Sequence, residues 1–396
     1  MTDSCWSVWP GRGFLMQPDP LLSTRQALDE ILPVDVIERV ESIALDLPAL
    51  LVSGRIFTVL EKLPVFDLSI LKHEQAKIDC RAIERLMQIY SYFASAYVYG
   101  DPANSRSRIP AGVAVPLVLL AGLVERPPIL SYSGYVLANW RRTTQSTPIT
   151  VDNVRLIQNF LGTRDEAWFI LIHVDIEARA AGALAGLMTA VQAADLNDTR
   201  GLEESIGSII DGLRQMITTF HRMPEQCDPA LYYHKVRPYI FGFTDVIYEG
   251  VEAFGNVPQT FRGQTGAQSS IIPALVSGLG LAHEQNTLTH HLEIMRDYMP
   301  RPHREFANSM RRSNIRECVQ ENSHRATLVE TYNEALRHMV EFRSLHYQFA
   351  TEYIFRHVAN PLGTGGTVFM DWLKQLIVET EGQFVQATHA PSSAMR

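Results

Sequence analysis

Apolar residues recur every three to four positions along most of this 396-residue chain, the spacing of a helix with one buried face. Residues 1–30 are the exception, an irregular lead-in rich in Pro, Gly and Asp. The pattern predicts helices over 34–52, 73–100, 110–124, 128–140, 152–160, 166–193, 198–222, 230–241, 267–281, 287–297, 326–358 and 367–380. In the second of these, Ile78, Ile83, Leu86, Ile89 and Phe93 keep near-helical spacing, and Gly100 stands where a helix ends. No run alternates apolar and polar residues long enough to make a sheet core. The expected fold class is all-α.

The polar, β-branched, proline-bearing stretch "RRTTQSTPIT" (141–150) breaks the helical pattern and predicts a boundary. A small N-terminal helical domain, 1–145, would precede a larger helical bundle, 146–396. No repeat of 20–50 residues is present, which argues against a solenoid.

Composition narrows the class further. The chain is 46% hydrophobic and 20% charged, with mean hydropathy -0.04, as in globular proteins. A net charge of -8 argues against nucleic acid as a partner. The apolar stretch "VAVPLVLLAGLV" (113–124) is too short to span a bilayer and contains Pro116, so no membrane partner is expected. Cys5, Cys80, Cys227 and Cys318 are scattered, without CxxC or CxxCH, which predicts isolated thiols. With no signal-peptide pattern at the N-terminus, a cytoplasmic protein is expected.

Two histidines interrupt apolar stripes. Met339, Phe342, His346, Phe349 and Tyr353 share one helix face. Phe169, Ile172, His173, Ile176 and Ala180 share another. A histidine so placed is either a hydrogen-bonded core residue or a ligand, and periodicity leaves both open. Bundle cores are where haem takes a neutral imidazole from a helix. Beyond His173, the small residues Ala180–Ala183, Ala185 and Gly186 make a thin helix surface that admits a close neighbour or a flat ligand.

Other chemistries lack their motifs: HExxH, GxSxG and GxxxxGK[ST] are all absent. "GTGGT" (363–367) reads equally as an anion cradle before a helix or as a flexible turn.

Six stretches in order resemble the indoleamine 2,3-dioxygenase family: "LSYSGYVLANW" (130–140), "WFILIHVDIEARAAG" (168–182), "GQTGAQSS" (263–270), "MRDYMPRPHREF" (295–306), "RSLHYQFATEYI" (343–354) and "GTGGT". Each is modest alone; the ordered set is specific. The resemblance implies an all-α, two-domain enzyme that binds haem b and opens an indole ring with O2 as co-substrate, with L-tryptophan giving N-formylkynurenine. His346 falls at the iron ligand, with Arg343 on the same side to offset propionate charge. Tyr132, Tyr135, Val136, Phe169 and His173 fall at distal positions, His173 as the catalytic candidate. Tyr232, Tyr233 and Arg237 match the aromatic pair and arginine that hold substrate, a role that suits an indole and a carboxylate. The loop with Gly266 and Ala267 would cover the cofactor, and Thr364 would meet the substrate's amino and carboxylate end.

The chain also departs from the family pattern. His173 stands where the animal enzymes carry serine, as in the histidine-bearing tryptophan 2,3-dioxygenases, and Tyr135 replaces a smaller residue. An imidazole at 173 can act as base, accept the indole N–H, or orient oxygen. These departures keep other readings open: a haem enzyme acting on indole or another tryptophan derivative, a haem-binding sensor, or a haem-free scaffold. Oligomeric state is open.

Overall fold

A computed structural model describes residues 5–9, 11–101, 103–358, 363–364 and 369–388. The architecture is all-α, with ten helices of eight or more residues among the described ones: α1 (Val34–Val52), α2 (Cys80–Tyr99), α3 (Ala111–Val124), α4 (Arg164–Asp195), α5 (Thr199–His221), α6 (Ile271–Gly278), α7 (Thr287–Arg296), α8 (Arg301–Ser309), α9 (Ala326–Tyr353) and α10 (Phe369–Glu381). Among the described residues, no helix is long and apolar enough to cross a membrane.

Helix α2 runs through the core, buried at every residue from Ala82 to Val98. Several of its polar side chains are paired internally, although the Tyr90 and Ser95 hydroxyls have no partner among the described residues. Arg85 donates to Gln88 Oε1 at 2.6 Å and to Gln158 Oε1 at 3.1 Å. Gln88 Nε2 donates to Gly134 O at 2.7 Å, which ties α2 to a π-turn at Ser133–Leu137.

Helices α4 and α5 pack closely because their facing positions are small. A Cβ on Gly212 would lie 2.6 Å from Ala183 N, and one on Gly186 would lie 2.8 Å from Ser205 O. The thin surface of α4 is thus taken, at these positions, by a neighbouring helix. Helix α9 adds to this pair through Phe342 and Phe349, which pack on Phe220 at the end of α5.

Three predicted helices differ in the structure. Residues 152–160 are not helical. Val154–Arg155 (β3) pairs antiparallel with Arg141–Arg142 (β2), and side chains capture the backbone that follows. Asn139 Oδ1 accepts from Gln158 N at 2.8 Å, and Glu166 accepts from the amides of Phe160, Leu161 and Gly162. Those donors are no longer available to a helix. Within 128–140 only the π-turn forms. Within 230–241 the chain makes a short helix (Pro229–Leu231), a second π-turn (Tyr232–Val236) and a 3₁₀ turn (Arg237–Ile240), since Pro238 cannot donate in a continuing α-helix.

A small sheet accompanies the helices. Arg108–Ile109 (β1) pairs parallel with Phe243–Tyr248 (β4), which pairs antiparallel with Gln259–Phe261 (β5). Cys5 and Cys80, expected to be isolated thiols, are joined across 75 residues with a Cα separation of 6.3 Å. Cys227 and Cys318 remain free and buried.

Candidate functional site

The two stripe histidines come from α4 and α9 and meet around the end of α5. The Phe220 ring centroid is 6.3 Å from His173 and 6.3 Å from His346. Around His173, Phe169 stands at 4.6 Å and Tyr132 presents an edge at 6.3 Å. Phe169 continues to Tyr232 at 4.3 Å, and Tyr232 to Tyr353 at 5.8 Å. An aromatic wall therefore joins four elements, which is what an apolar planar ligand needs.

His346 keeps an accessible face, yet it is enclosed enough for burial to pull its pKa down to about 4, assisted by the nearby His173. Among the described residues His346 accepts and donates no hydrogen bond. A neutral ring with a free lone pair is a metal donor in waiting. Burial likewise lowers the pKa of His173. Its Nδ1 lies 2.7 Å from Phe169 O. A carbonyl can only accept, so Nδ1 carries the proton and Nε2 is left as an acceptor.

Arg237 is buried, held against the rings of Tyr233 at 5.4 Å and Phe241 at 4.8 Å. Burial lowers its pKa, and guanidinium stays charged at neutral pH. Tyr233 also stacks on His357 at 5.1 Å. Thr364 Oγ1 donates to Gln264 O at 2.5 Å, and its carbonyl accepts from Gly242 N at 3.2 Å. Thr364 is thereby fixed near the strand that follows Phe241. The rest of "GTGGT", residues 365–367, lies outside the described residues.

Gly266 and Ala267 sit on a short turn whose position is set by Gln268. Gln268 Oε1 accepts from Tyr132 N at 2.9 Å, and its Nε2 donates to Gly263 O at 2.9 Å. A Cβ added at Gly266 would meet nothing within 4 Å, so this turn borders open space. Val136 is fully buried. Tyr135 is fully buried too, 6.3 Å from Tyr92 in a stack that continues through Phe160 to Tyr239. Its hydroxyl has no hydrogen-bond partner among the described residues.

Arg343 is engaged on the α10 side. It donates to Leu376 O at 2.7 Å and to Thr380 Oγ1, and its Nη2 lies 3.3 Å from His283 Nε2. His283 Nδ1 in turn is 2.6 Å from Glu379. Burial pulls the Arg343 pKa down to about 10.

Periodicity alone overlooked Phe220, the ring between the histidines, and Glu177, one turn beyond His173 on α4. Glu177 is fully buried and accepts from Ser269 Oγ at 2.7 Å. An acid four residues after a stripe histidine was a readable signal.

An all-α fold that brings two histidines from different helices against one phenylalanine, among aromatic side chains, defines a class of helical cofactor-type sites. The comparisons make it specific. The chain matches the family described as "Indoleamine 2,3-dioxygenase" over residues 4–362. It is 29% identical to Indoleamine 2,3-dioxygenase of Saccharomyces cerevisiae, covering 95% of this chain and 92% of that one. It is 30% identical to Indoleamine 2,3-dioxygenase 1 of Rattus norvegicus, covering 84% and 86%. Against Indoleamine 2,3-dioxygenase 2 of Homo sapiens it is 26% identical over 84% and 86%. The chain belongs to the indoleamine 2,3-dioxygenase family, and so to the oxidoreductases.

Proposed function

We propose that this protein is a haem-dependent dioxygenase that inserts both atoms of O2 across the indole C2–C3 bond, converting L-tryptophan to N-formylkynurenine. The observation that carries this reading is His346: held neutral at pH 7 by burial, without a hydrogen bond among the described residues, and sharing the Phe220 ring with His173 at 6.3 Å from each. Those properties fit an imidazole that would hold haem b. When bound, the haem iron would supply activation of dioxygen.

The remaining work falls to the chain. His173 Nε2, the acceptor nitrogen, is suited to take a hydrogen bond from the indole N–H and so fix the ring's orientation. Phe169, Tyr132 and Tyr232 supply apolar walls that exclude water from the indole. Arg237 is suited to the substrate carboxylate, because a buried guanidinium offers paired N–H donors in a water-poor setting. Thr364 would face the same end of the substrate, with Tyr233 covering Arg237. Gly266, Ala267 and Val136 would line the cofactor site. Arg343 would contribute its positive charge from behind His346, held by Leu376, Thr380 and His283.

Turnover of L-tryptophan under labelled O2 tests the reading by mass. Two labelled oxygens in one product are expected; one or none overturns it. A second reading, oxidation of indole or another tryptophan derivative on the same scaffold, is favoured by Tyr135, a bulky, fully buried side chain stacked 6.3 Å from Tyr92. A substrate panel in which indole outperforms L-tryptophan would select it.

A further inference from the structure

Glu177 stands where three separate segments meet behind the aromatic hollow, and nothing in the reaction outlined above uses it. From α4 it reaches the turn that carries Gly266 and Ala267, accepting from Ser269 Oγ through Oε1 at 2.7 Å. The Tyr132 hydroxyl, on the π-turn segment, lies beside the same carboxyl. Its second oxygen, Oε2, is buried with no hydrogen-bond partner among the described residues. A carboxylate in that position would leave a charged oxygen unsatisfied in an apolar interior, whereas a carboxylic acid carries its own proton there.

We propose that Glu177 is a positioning residue whose proton sets the distal face: as an acid it holds the Tyr132 hydroxyl and the Ser269 turn in the arrangement described, and as a carboxylate it captures the Tyr132 O–H. The inference rests on the dioxygenase reading of this site. The acid donates to the phenol oxygen, leaving the phenol proton free to turn elsewhere. Loss of that proton to solvent reverses the bond, since a carboxylate only accepts. Tyr132 faces the edge of His173, so the reversal changes what the indole site meets.

Burial supports the scheme by raising the Glu177 pKa to about 7, opposed only by the Ser269 and Tyr132 hydrogen bonds. The titratable groups facing it are Tyr132 from the π-turn and His173 one turn back on α4. The loop contributes the neutral Ser269 and Gln268. The N-terminal segment brings backbone, with Gly13 packed against the Glu177 carbonyl. Tyr132 itself is raised well above its ordinary value, by burial first and by Glu177 second, so it does not compete for ionisation near neutrality.

The test uses Glu177→Gln, which keeps the shape and fixes the neutral state, with Glu177→Asp as the conservative variant. Infrared spectra of the full chain, with and without haem, follow the carboxylic-acid carbonyl band from pH 5 to 9. The part of the band that Glu177→Gln removes should fade with a midpoint near 7 in the parent, while Glu166, which burial also raises to about 7, supplies the part that remains. In parallel, KM for L-tryptophan should climb with pH above 7, by up to about tenfold per unit, and stay within about twofold in Glu177→Gln. Glu177→Asp should restore a pH dependence with a shifted midpoint. A parent-minus-Glu177→Gln difference band that is absent or fades near 4.5, or a folded Glu177→Gln with the parental KM profile, overturns the proposal. Failure to oxidise any indole would instead sink the dioxygenase reading, while the infrared titration would still report on Glu177.

Discussion

The contact between α4 and α5 makes a quantitative prediction, because two glycines on α5 lie in opposite surroundings. A Cβ on Gly212 would fall 2.6 Å from Ala183 N and 2.7 Å from Ala183 Cβ. Ordinary carbon contacts lie near 3.5–4.0 Å, so Gly212→Ala forces the helices apart by about 1 Å. Overpacking of this kind costs about 1–3 kcal/mol, offset by about 0.5–1 kcal/mol from removing a mid-helix glycine. The net loss is up to about 2.5 kcal/mol. At about 2.1 cal/mol/K per residue, unfolding of this chain carries roughly 0.8 kcal/mol/K, so Tm should fall by up to about 3 °C. A Cβ on Gly207 would meet nothing within 4 Å, so Gly207→Ala keeps only the helix gain and should raise Tm by about 1 °C. Scanning calorimetry of the two variants beside the parent decides the matter. Equal shifts, or a stabilised Gly212→Ala, would refute the claim that small residues set this spacing. Since Phe220, in the last turn of α5, lies between the two imidazoles, Gly212→Ala should also disturb their surroundings.

Three further outcomes follow from the same geometry. Glu166→Ala leaves three backbone amides, those of Phe160, Leu161 and Gly162, without their acceptor, and should cost about 3 kcal/mol or more in urea unfolding; a loss under about 1 kcal/mol would contradict it. Burial, aided by Arg126, depresses the pKa of His303 to about 3, so its neutral form contributes stability that is present above pH 6.5 and lost as pH falls from 6.5 toward 3; His303→Phe should flatten that slope in unfolding measured across the range. Arg237→Ala should raise KM for L-tryptophan at least tenfold while leaving indole little affected, and equal effects on both substrates would remove the carboxylate from its role.

Much of the helical frame was legible because it depends on local repetition. The spans of α1, α4, α5 and α9 follow apolar periodicity closely, and both histidines announce themselves as polar interruptions of a buried stripe. What local pattern could not carry was long-range capture of backbone groups. Residues 152–160 have helical spacing, yet Asn139 and Glu166 bind their amides from outside. The joining of Cys5 to Cys80 likewise depends on where the N-terminal segment lands. The neighbourhood of the histidines was half legible: Phe169 and Tyr232 sit in it, but the ring between His173 and His346 comes from a third helix. Arg343 shows the same limit, since its partners Leu376, Thr380 and His283 lie far along the chain. Glu177 was readable by its spacing from His173 and went unread because an isolated acid on a helix is usually solvated.

The central claim is that His346 donates a neutral imidazole to a non-covalently held porphyrin. Its most direct measurement is the absorption spectrum of the purified full-length chain after haem loading, before and after L-tryptophan, beside His346→Ala. The account predicts one haem per chain with a spectrum that shifts on adding L-tryptophan, and a variant that folds but loses the pigment on gel filtration. A variant that retains haem with an unchanged spectrum would contradict it.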